Sequence, residues 1–297
     1  MSEQPILYRK HEGVAYVTIN RPDAMNSFTA PAIQQLRAAL EDAANADEVG
    51  VVVLTGAGER AFCTGADVKE FSEVNINLAS AQYMRVVSSV CETIKFLQHM
   101  VKPTIARVNG AAVGGGNELQ LACDLAVVAD HAYFMQVGPR VGSVPAGGAT
   151  QWLPLMVGDR RAREMMFLCK PIQAKQAVEW GLANRSVPYA ELDKAVDELC
   201  QGILDKFPEC LRYTKVQTNT LKEFTWNETW PHARDWLALH VTSAETREGM
   251  TAFVEKRKPN YRGLRKVRPY RNCPACGAKG IPPDYHFCGI CGEAMPA

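Results

Sequence analysis

The stretch Ala106-Arg-Val-Asn-Gly-Ala-Ala-Val-Gly-Gly-Gly-Asn-Glu118 decides the fold, because it reads as a buried strand, a glycine-rich turn and the first turn of a helix in succession. Gly114, Gly115 and Gly116 remove every Cβ from the turn, so its backbone N–H groups can approach a ligand closely and its dihedrals can enter regions closed to other residues. The apolar spacing of Asn117-Glu-Leu-Gln-Leu-Ala-Cys-Asp124 fits a helix whose positive dipole end would lie at those glycines. The turn is therefore a candidate cradle for an anion or an oxyanion. Turns of this kind also bind phosphates or dinucleotides, or simply pack backbone tightly, and the stretch alone does not choose among them.

Upstream, Ile6-Leu-Tyr8 and Val14-Ala-Tyr-Val-Thr-Ile19 read as two strands joined by a turn. Thr29 before Pro31 marks a helix start, and Ile33, Leu36 and Leu40 give that helix an apolar face ending near Asn45. Val51-Val-Val-Leu54 is wholly apolar, as expected of a strand covered on both faces. Strand, helix, strand implies a crossover and a parallel sheet, hence an α/β protein. The loop Thr55–Lys69 follows the buried strand, at the end where open α/β sheets bind ligands. Its Gly65-Ala66 can supply a backbone N–H facing that of Gly115, and two donors aimed at one point make an oxyanion hole. An ordinary surface loop is the alternative.

At 297 residues the chain can bury a large core in one or two domains. Its formal net charge of +1 gives no global field favouring nucleic acid or an anionic membrane. Met1-Ser-Glu-Gln-Pro lacks a basic region followed by an apolar one, and no later run approaches a membrane span, so a soluble cytoplasmic protein is expected. Cys63, Cys91, Cys123, Cys169, Cys200 and Cys210 are scattered singly, as small buried hydrophobes of a reducing compartment are.

Arg21-Pro-Asp-Ala-Met-Asn-Ser27, Ala61-Phe-Cys-Thr-Gly-Ala-Asp67, Asn109-Gly110 with Gly114-Gly-Gly-Asn-Glu118, and Gly147-Gly-Ala-Thr150 together resemble the crotonase (enoyl-CoA hydratase/isomerase) superfamily over roughly residues 5 to 260. The resemblance implies a ββα superhelix, trimers often paired into hexamers, and an acyl-CoA thioester whose carbonyl sits between the N–H groups of Ala66 and Gly115. By motif position it further implies substrate or coenzyme A contacts at Ala24, Met25, Gly65, Asp67, Val68, Gly114 and Ser143, with Lys256 meeting the coenzyme phosphates. Hydratases of the superfamily carry two glutamates. Glu118 matches the first, whereas the second aligns with Gly138. Gln136–Ser143 and Ala162–Cys169 resemble the branch of dihydroxynaphthoyl-CoA synthase and 2-ketocyclohexanecarboxyl-CoA hydrolase, and Gly147–Gly158 and Phe207–Cys210 with Ala233–Leu239 are most similar to 6-oxocyclohex-1-ene-1-carbonyl-CoA hydrolase. Pro145 stands where the naphthoate synthase has an aspartate, which disfavours ring closure.

This implies a hydratase or hydrolase acting on an alicyclic or β-oxo acyl-CoA, a lyase or C–C hydrolase in which Glu118 takes a proton from water and the paired N–H groups hold an enolate. The empty side chain at Gly138 is expected to free volume for a ring, with Ser143 facing it. Glu118 can instead be a first-turn acid that satisfies the helix N-terminus. Trp226, Trp230 and Trp236 follow a series of helices, and one of them can line an acyl pocket, although aromatic residues so spaced are more often core or subunit interface.

Lys256–Arg271 is strongly basic, holds no acid and is broken by two prolines and a glycine, which reads as a linker rather than an RNA-binding arm. Cys273-Pro-Ala-Cys276-Gly and Cys288-Gly-Ile-Cys291-Gly then form two knuckles spaced for a tetrahedral, structural zinc site, with a redox dithiol pair as the alternative. So short a segment has almost no core, and metal ligation would supply its folding energy. The expected organisation is a crotonase core over 1–200, a C-terminal helical region over 201–258, a basic linker over 259–271 and a four-cysteine zinc ribbon over 272–297. Expected partners are an acyl-CoA, further copies of the chain and a protein docked on the ribbon. Nucleic acid and membrane are not expected. A linear enoyl-CoA hydratase, or a weakly catalytic scaffold that uses the ribbon, are the other readings.

Overall fold

The computed structural model describes residues 4–67, 70, 80–265, 271–282 and 285–296. The chain forms two compact units, 1–257 and 258–297. In the first, β1 (Ile6–His11) and β2 (Val14–Ile19) pair antiparallel around Glu12 and Gly13, both at positive φ (48° and 81°), a tight turn that glycine accommodates without strain. α1 (Ala30–Asn45) begins where expected: Thr29 Oγ1 accepts from Ala32 N at 3.4 Å and Pro31 occupies the first turn.

Three strand pairs then repeat one plan. β3 (Val51–Gly56) is followed by β4 (Ala61–Cys63) and α2 (Ser80–His99), and β5 (Thr104–Val108) by β6 (Ala111–Val113) and α3 (Gly115–Ala122). β7 (Leu125–Ala129) is followed by β8 (Tyr133–Met135), then α4 (Ala149–Val157) and α5 (Asp159–Leu168). The first strand of each pair joins a six-stranded sheet ordered β1-β2-β3-β5-β7-β10, and the second a four-stranded sheet ordered β4-β6-β8-β9, where β9 is Ile172–Gln173 and β10 is Arg185–Val187. All pairings after the first hairpin are parallel except β8 with β9. This is the ββα superhelix. Every residue of β3 is buried, as its apolar run requires of a strand covered on both faces. α6 (Ala174–Trp180) ends at Gly181 in the left-handed region, which glycine adopts without strain, and α7 (Leu192–Leu204) follows. The C-terminal helices are α8 (Pro208–Thr218), α9 (Thr220–His240) and α10 (Ala244–Val254), with α9 against α2 and α4. No helix among the described residues is long and apolar enough to cross a membrane.

α3 differs from its sequence reading at both ends. It starts inside the glycine run, at Gly115, and stops at Ala122 because the Asp124 carboxylate accepts instead from the N–H (2.7 Å) and hydroxyl (2.9 Å) of Thr104. That pairing opens β7 beside β5.

Two buried asparagines hold the loop ahead of β4. Asn26 Nδ2 donates to Ala57 O (2.9 Å) and Ala61 O (2.7 Å). Asn109 Oδ1 accepts from Gly56 N (3.0 Å), and its Nδ2 donates to Gly58 O (2.7 Å) and Ala61 O (2.9 Å).

The second unit contains a short helix, α11 (Tyr261–Leu264), and two antiparallel bridges, Arg271 with Ile281 and Phe287 with Ala294. Its interior, among the described residues, is only Cys273, Ile281, Cys288 and Met295.

Asn109→Ala leaves a buried Gly56 N–H and two loop carbonyls without this partner, and is expected to lower the free energy of unfolding by about 1–3 kcal/mol. The shift appears in the urea midpoint at unchanged slope. An unshifted midpoint contradicts the role given to this side chain.

Candidate active site

The glycine turn and the Gly65 segment after β4 approach each other closely enough that no side chain fits between them. A Cβ at Gly116 would lie 1.9 Å from Cys63 O, and one at Gly65, whose φ is +83°, would lie 2.9 Å from Gly115 N. Gly114 (φ 55°) is anchored by its own N–H to Met135 O at 2.9 Å, which fixes where the next residue points. On the facing strand, Phe28 N donates to Gly65 O at 2.9 Å and Asp67 N donates to Phe28 O at 3.0 Å. That pattern uses the groups on either side of Ala66 N and leaves it over. Among the described hydrogen bonds neither Ala66 N–H nor Gly115 N–H has an acceptor, and both residues are half-buried rather than sealed. Gly65, the residue before Ala66, thus lies against Gly115, and the Gly115 N–H is at the positive end of α3.

Arg21 braces this arrangement. Its guanidinium donates to Asp67 Oδ2 (2.9 Å) and Ser27 O (2.5 Å), and its own N–H donates to Asn26 Oδ1 (3.0 Å). Ala24 and Met25 lie at the end of a short 3₁₀ turn, Pro22–Ala24, and Met25 O accepts from the Thr64 hydroxyl at 3.2 Å, one residue before Gly65. Val68 lies outside the described residues. Lys256 is exposed just past α10, and no described hydrogen bond or ion pair ties it to the glycine turn.

Glu118 is 7% exposed. Its Oε1 accepts from Gly147 N at 2.8 Å and Ala149 N at 3.4 Å, while Oε2 accepts no hydrogen bond among the described residues. Burial in an apolar setting that includes Ile94 pushes its carboxyl up to about 7, and the two N–H bonds pull only partly the other way. A carboxyl that titrates near neutrality, with one oxygen held and one free, is suited to take and return a proton. The cradle at Gly147 and Ala149 was not legible in the sequence as a partner of Glu118; the only signal was the paired Gly147-Gly148.

Gly138 opens a 3₁₀ turn, Gly138–Arg140, and the space beside it is not free. A Cβ there would lie 2.9 Å from Pro145 Cδ and 3.0 Å from Val144 C, because the 144–145 backbone folds back onto the position. This corrects the expectation of vacated volume. Ser143 is half-buried in the same loop, and its N–H donates to Gly138 O at 2.9 Å.

In the second unit the four cysteine Sγ atoms lie within 4.8 Å of one another, with 3.6 Å between Cys273 and Cys291 and 3.8 Å between Cys276 and Cys288. Sulfurs about 2.3 Å from a central ion in tetrahedral array are about 3.8 Å apart, so the set fits a thiolate-bound ion. The separations are far longer than a disulfide bond of about 2.05 Å. Cys288 Sγ also accepts from Ile290 N at 3.5 Å, and backbone N–H groups of Cys291 and Ile290 lower its thiol, which favours the thiolate a metal needs.

The family model for enoyl-CoA hydratase/isomerase matches residues 9–265. Among solved structures, the chain is similar to an enoyl-CoA hydratase from Mycobacterium avium subsp. paratuberculosis (30% identity, 87% of this chain and 98% of that one, TM-score 0.78). It is likewise similar to an enoyl-CoA hydratase from Bacillus anthracis (31%, 88% and 100%, TM-score 0.70) and an enoyl-CoA hydratase/isomerase from Xanthobacter autotrophicus Py2 (27%, 85% and 97%, TM-score 0.78).

The raised Glu118 carboxyl makes a stability prediction with a definite sign. Below about pH 4.5 the group is protonated folded and unfolded. Between pH 4.5 and about 7 the unfolded chain ionises first, so the native protein loses stability as pH rises, and above 7 the loss is complete. Glu118→Gln escapes it, and its stability relative to the native sequence should climb across that window by roughly 3 kcal/mol at most. Urea midpoints at pH 5 and pH 8 read the difference. A gap that does not change with pH contradicts the burial argument.

Proposed function

Since the chain belongs to the enoyl-CoA hydratase/isomerase family, we propose that it catalyses water-dependent chemistry on an alicyclic or β-oxo acyl-CoA thioester, as a hydratase or C–C hydrolase of the 6-oxocyclohex-1-ene-1-carbonyl-CoA hydrolase branch. The thioester oxygen accepts from Ala66 N–H and Gly115 N–H. Glu118 takes a proton from water while the water oxygen bonds to the β-carbon, and the alkene electron pair moves onto the thioester as an enolate. Reprotonation at the α-carbon completes hydration. With a β-oxo group, hydroxide adds to the ketone and the cleaved C–C bond delivers its pair as the same enolate. Each oxyanion donor is worth about 2.7–4 kcal/mol in such sites, a factor of 10² or more in rate.

The observation that carries this reading is the single carboxylate. Glu118 is raised by burial, with no other carboxylate among the causes of its shift, and Gly138 with Pro145 against it stands at the second position. Concerted handling of water by two glutamates is therefore not what the site supports. Ser143 lies in the same loop and can meet a ring oxygen.

The four C-terminal cysteines hold one structural zinc, since all tetrahedral positions are taken by sulfur and none is left for substrate. Support for a homotrimer or hexamer comes from large apolar side chains on the C-terminal helices, Leu221 and Phe224 at 64% and 63% exposed and Leu239 at 80%. The second reading, a scaffold that docks a protein on its ribbon, draws on Phe287 and Ile290, exposed at 64% and 81%. The presence of Glu118 directly after the Gly114–Gly116 turn favours catalysis.

Three measurements test these assignments. Turnover of a cyclic dienoyl- or oxocyclohexenyl-CoA should far exceed that of crotonyl-CoA, and efficient crotonyl-CoA hydration with the cyclic thioesters ignored overturns the substrate class. Glu118→Gln should lower turnover by about a hundredfold or more while acyl-CoA binding survives; undiminished turnover removes Glu118 from the mechanism. Metal analysis should find one zinc per chain, and none after truncation following Tyr270. Zinc retained stoichiometrically by the truncated chain refutes the ribbon site.

A further inference from the structure

α9 places Trp226, Trp230, Ala233 and Leu237 on one stripe by their spacing of four, three and four residues. Three indoles stack in series from α4 outward: Trp152 on Trp226 (centroids 5.3 Å, planes at 24°) and Trp226 on Trp230 (5.3 Å, 23°). The inner ring is tied to the catalytic cradle. Trp152 packs on Gly148, where a Cβ would lie 2.4 Å from its ring, between the Gly147 and Ala149 N–H groups that hold Glu118. Trp226 is buried at 5% exposure. Trp230, the outer ring, is half-buried and stacks on no further ring among the described residues. Trp236 is already stacked on His240 at 3.9 Å and is exposed at 41%.

The surroundings of Trp230 lead back to Glu118. It packs against a small buried cluster of Ala146, which precedes Gly147, Leu237 and Val241, against which Met84, Val87, Val144 and Ala233 also pack. On α2 the face that starts at Met84 and Val87 continues one turn at a time through Cys91 to Ile94, whose Cδ1 is 3.0 Å from the position of a Gly147 Cβ. The apolar face of α2, buried at Cys91 and Ile94, thus links the surroundings of the carboxylate to the half-buried Trp230, which ends the stack among the described residues. Ala233 presents only a methyl group between the larger Trp230 and Leu237, so the stripe is notched beside the indole.

We infer that Trp230 selects the acyl group: its outer face receives a flat six-membered carbon ring of the acyl-CoA as the next layer of the stack, with the Ala233 notch giving the ring its room. This rests on the acyl-CoA reading of the glycine turn and deepens it. A flat ring covers an indole face that a flexible chain covers only at further entropic cost, and stacked ring pairs add a factor of roughly three to ten in affinity beyond burial.

Binding, rather than turnover, tests this. Benzoyl-CoA and heptanoyl-CoA have the same number of acyl carbons, and titration of the full-length protein with each, by calorimetry and indole fluorescence, reads ring preference directly. Benzoyl-CoA should bind about tenfold more tightly and quench indole emission. Trp230→Ala should bring the two within about twofold by weakening benzoyl-CoA alone, Trp230→Phe should keep most of the preference, and Ala233→Leu should lose it by filling the notch. Should Trp230→Ala fail to fold, the Phe and Leu variants carry the test. No ring preference in the native protein, or a preference that survives both Trp230→Ala and Ala233→Leu, overturns the inference. Because neither ligand need react, this outcome is independent of which thioester is turned over. A failure of both ligands to bind instead counts against the acyl-CoA reading itself.

Discussion

The rest of the site depends on one steric constraint: backbone meets backbone where no Cβ can be placed. With Cys63 O 1.9 Å from where a Gly116 Cβ would be, and Gly115 N 2.9 Å from where a Gly65 Cβ would be, the loop after β4 and the turn into α3 can be this close only as glycine. On the proposed reading, the closeness makes an oxyanion hole from backbone groups, which a side-chain substitution does not remove and which need no reorganisation during reaction. The ββα repeat supplies it. β4 and β6 are parallel neighbours in the smaller sheet, so the loop after β4 and the turn after β6 emerge side by side at one end.

Around that contact the protein accepts a local cost for function. Burying Glu118 raises its carboxyl to about 7 and makes its ionised form expensive, yet that is the condition in which a carboxylate exchanges protons with water near neutrality. The Gly147 and Ala149 N–H groups limit the cost and orient one oxygen. Their loop is in turn pinned by Trp152, so the C-terminal helix that packs on Trp152 bears on the geometry of the Glu118 carboxylate.

Much of this was legible in the sequence, for physical reasons particular to each element. The glycine run announced close approach, the apolar Val51–Leu54 announced a strand covered on both faces, and Thr29 with Pro31 announced a helix start. Paired knuckles brought the four cysteines to within 4.8 Å of one another. What escaped was non-local. The void expected beside Gly138 is occupied by Pro145, a neighbour created by a fold-back seven residues later. The end of α3 is set by Asp124 reaching Thr104, and the buried Lys215 pairs with that same carboxylate at 2.8 Å, contacts that no periodicity encodes. Which of the three tryptophans of α9 joins the stack on Trp152 depends on the packing of α9 against α2 and α4, which sequence spacing does not specify.

The central claim is that Ala66 and Gly115 polarise a thioester carbonyl, and the carbonyl itself can report it. Infrared difference spectra of benzoyl-CoA labelled with carbon-13 at the thioester carbon, bound to the native protein and to Glu118→Gln, isolate that one stretch. The account predicts a clear shift to lower frequency on binding, retained in the Glu118 variant because the donors are backbone groups. A bound carbonyl that absorbs where it does in water would contradict it.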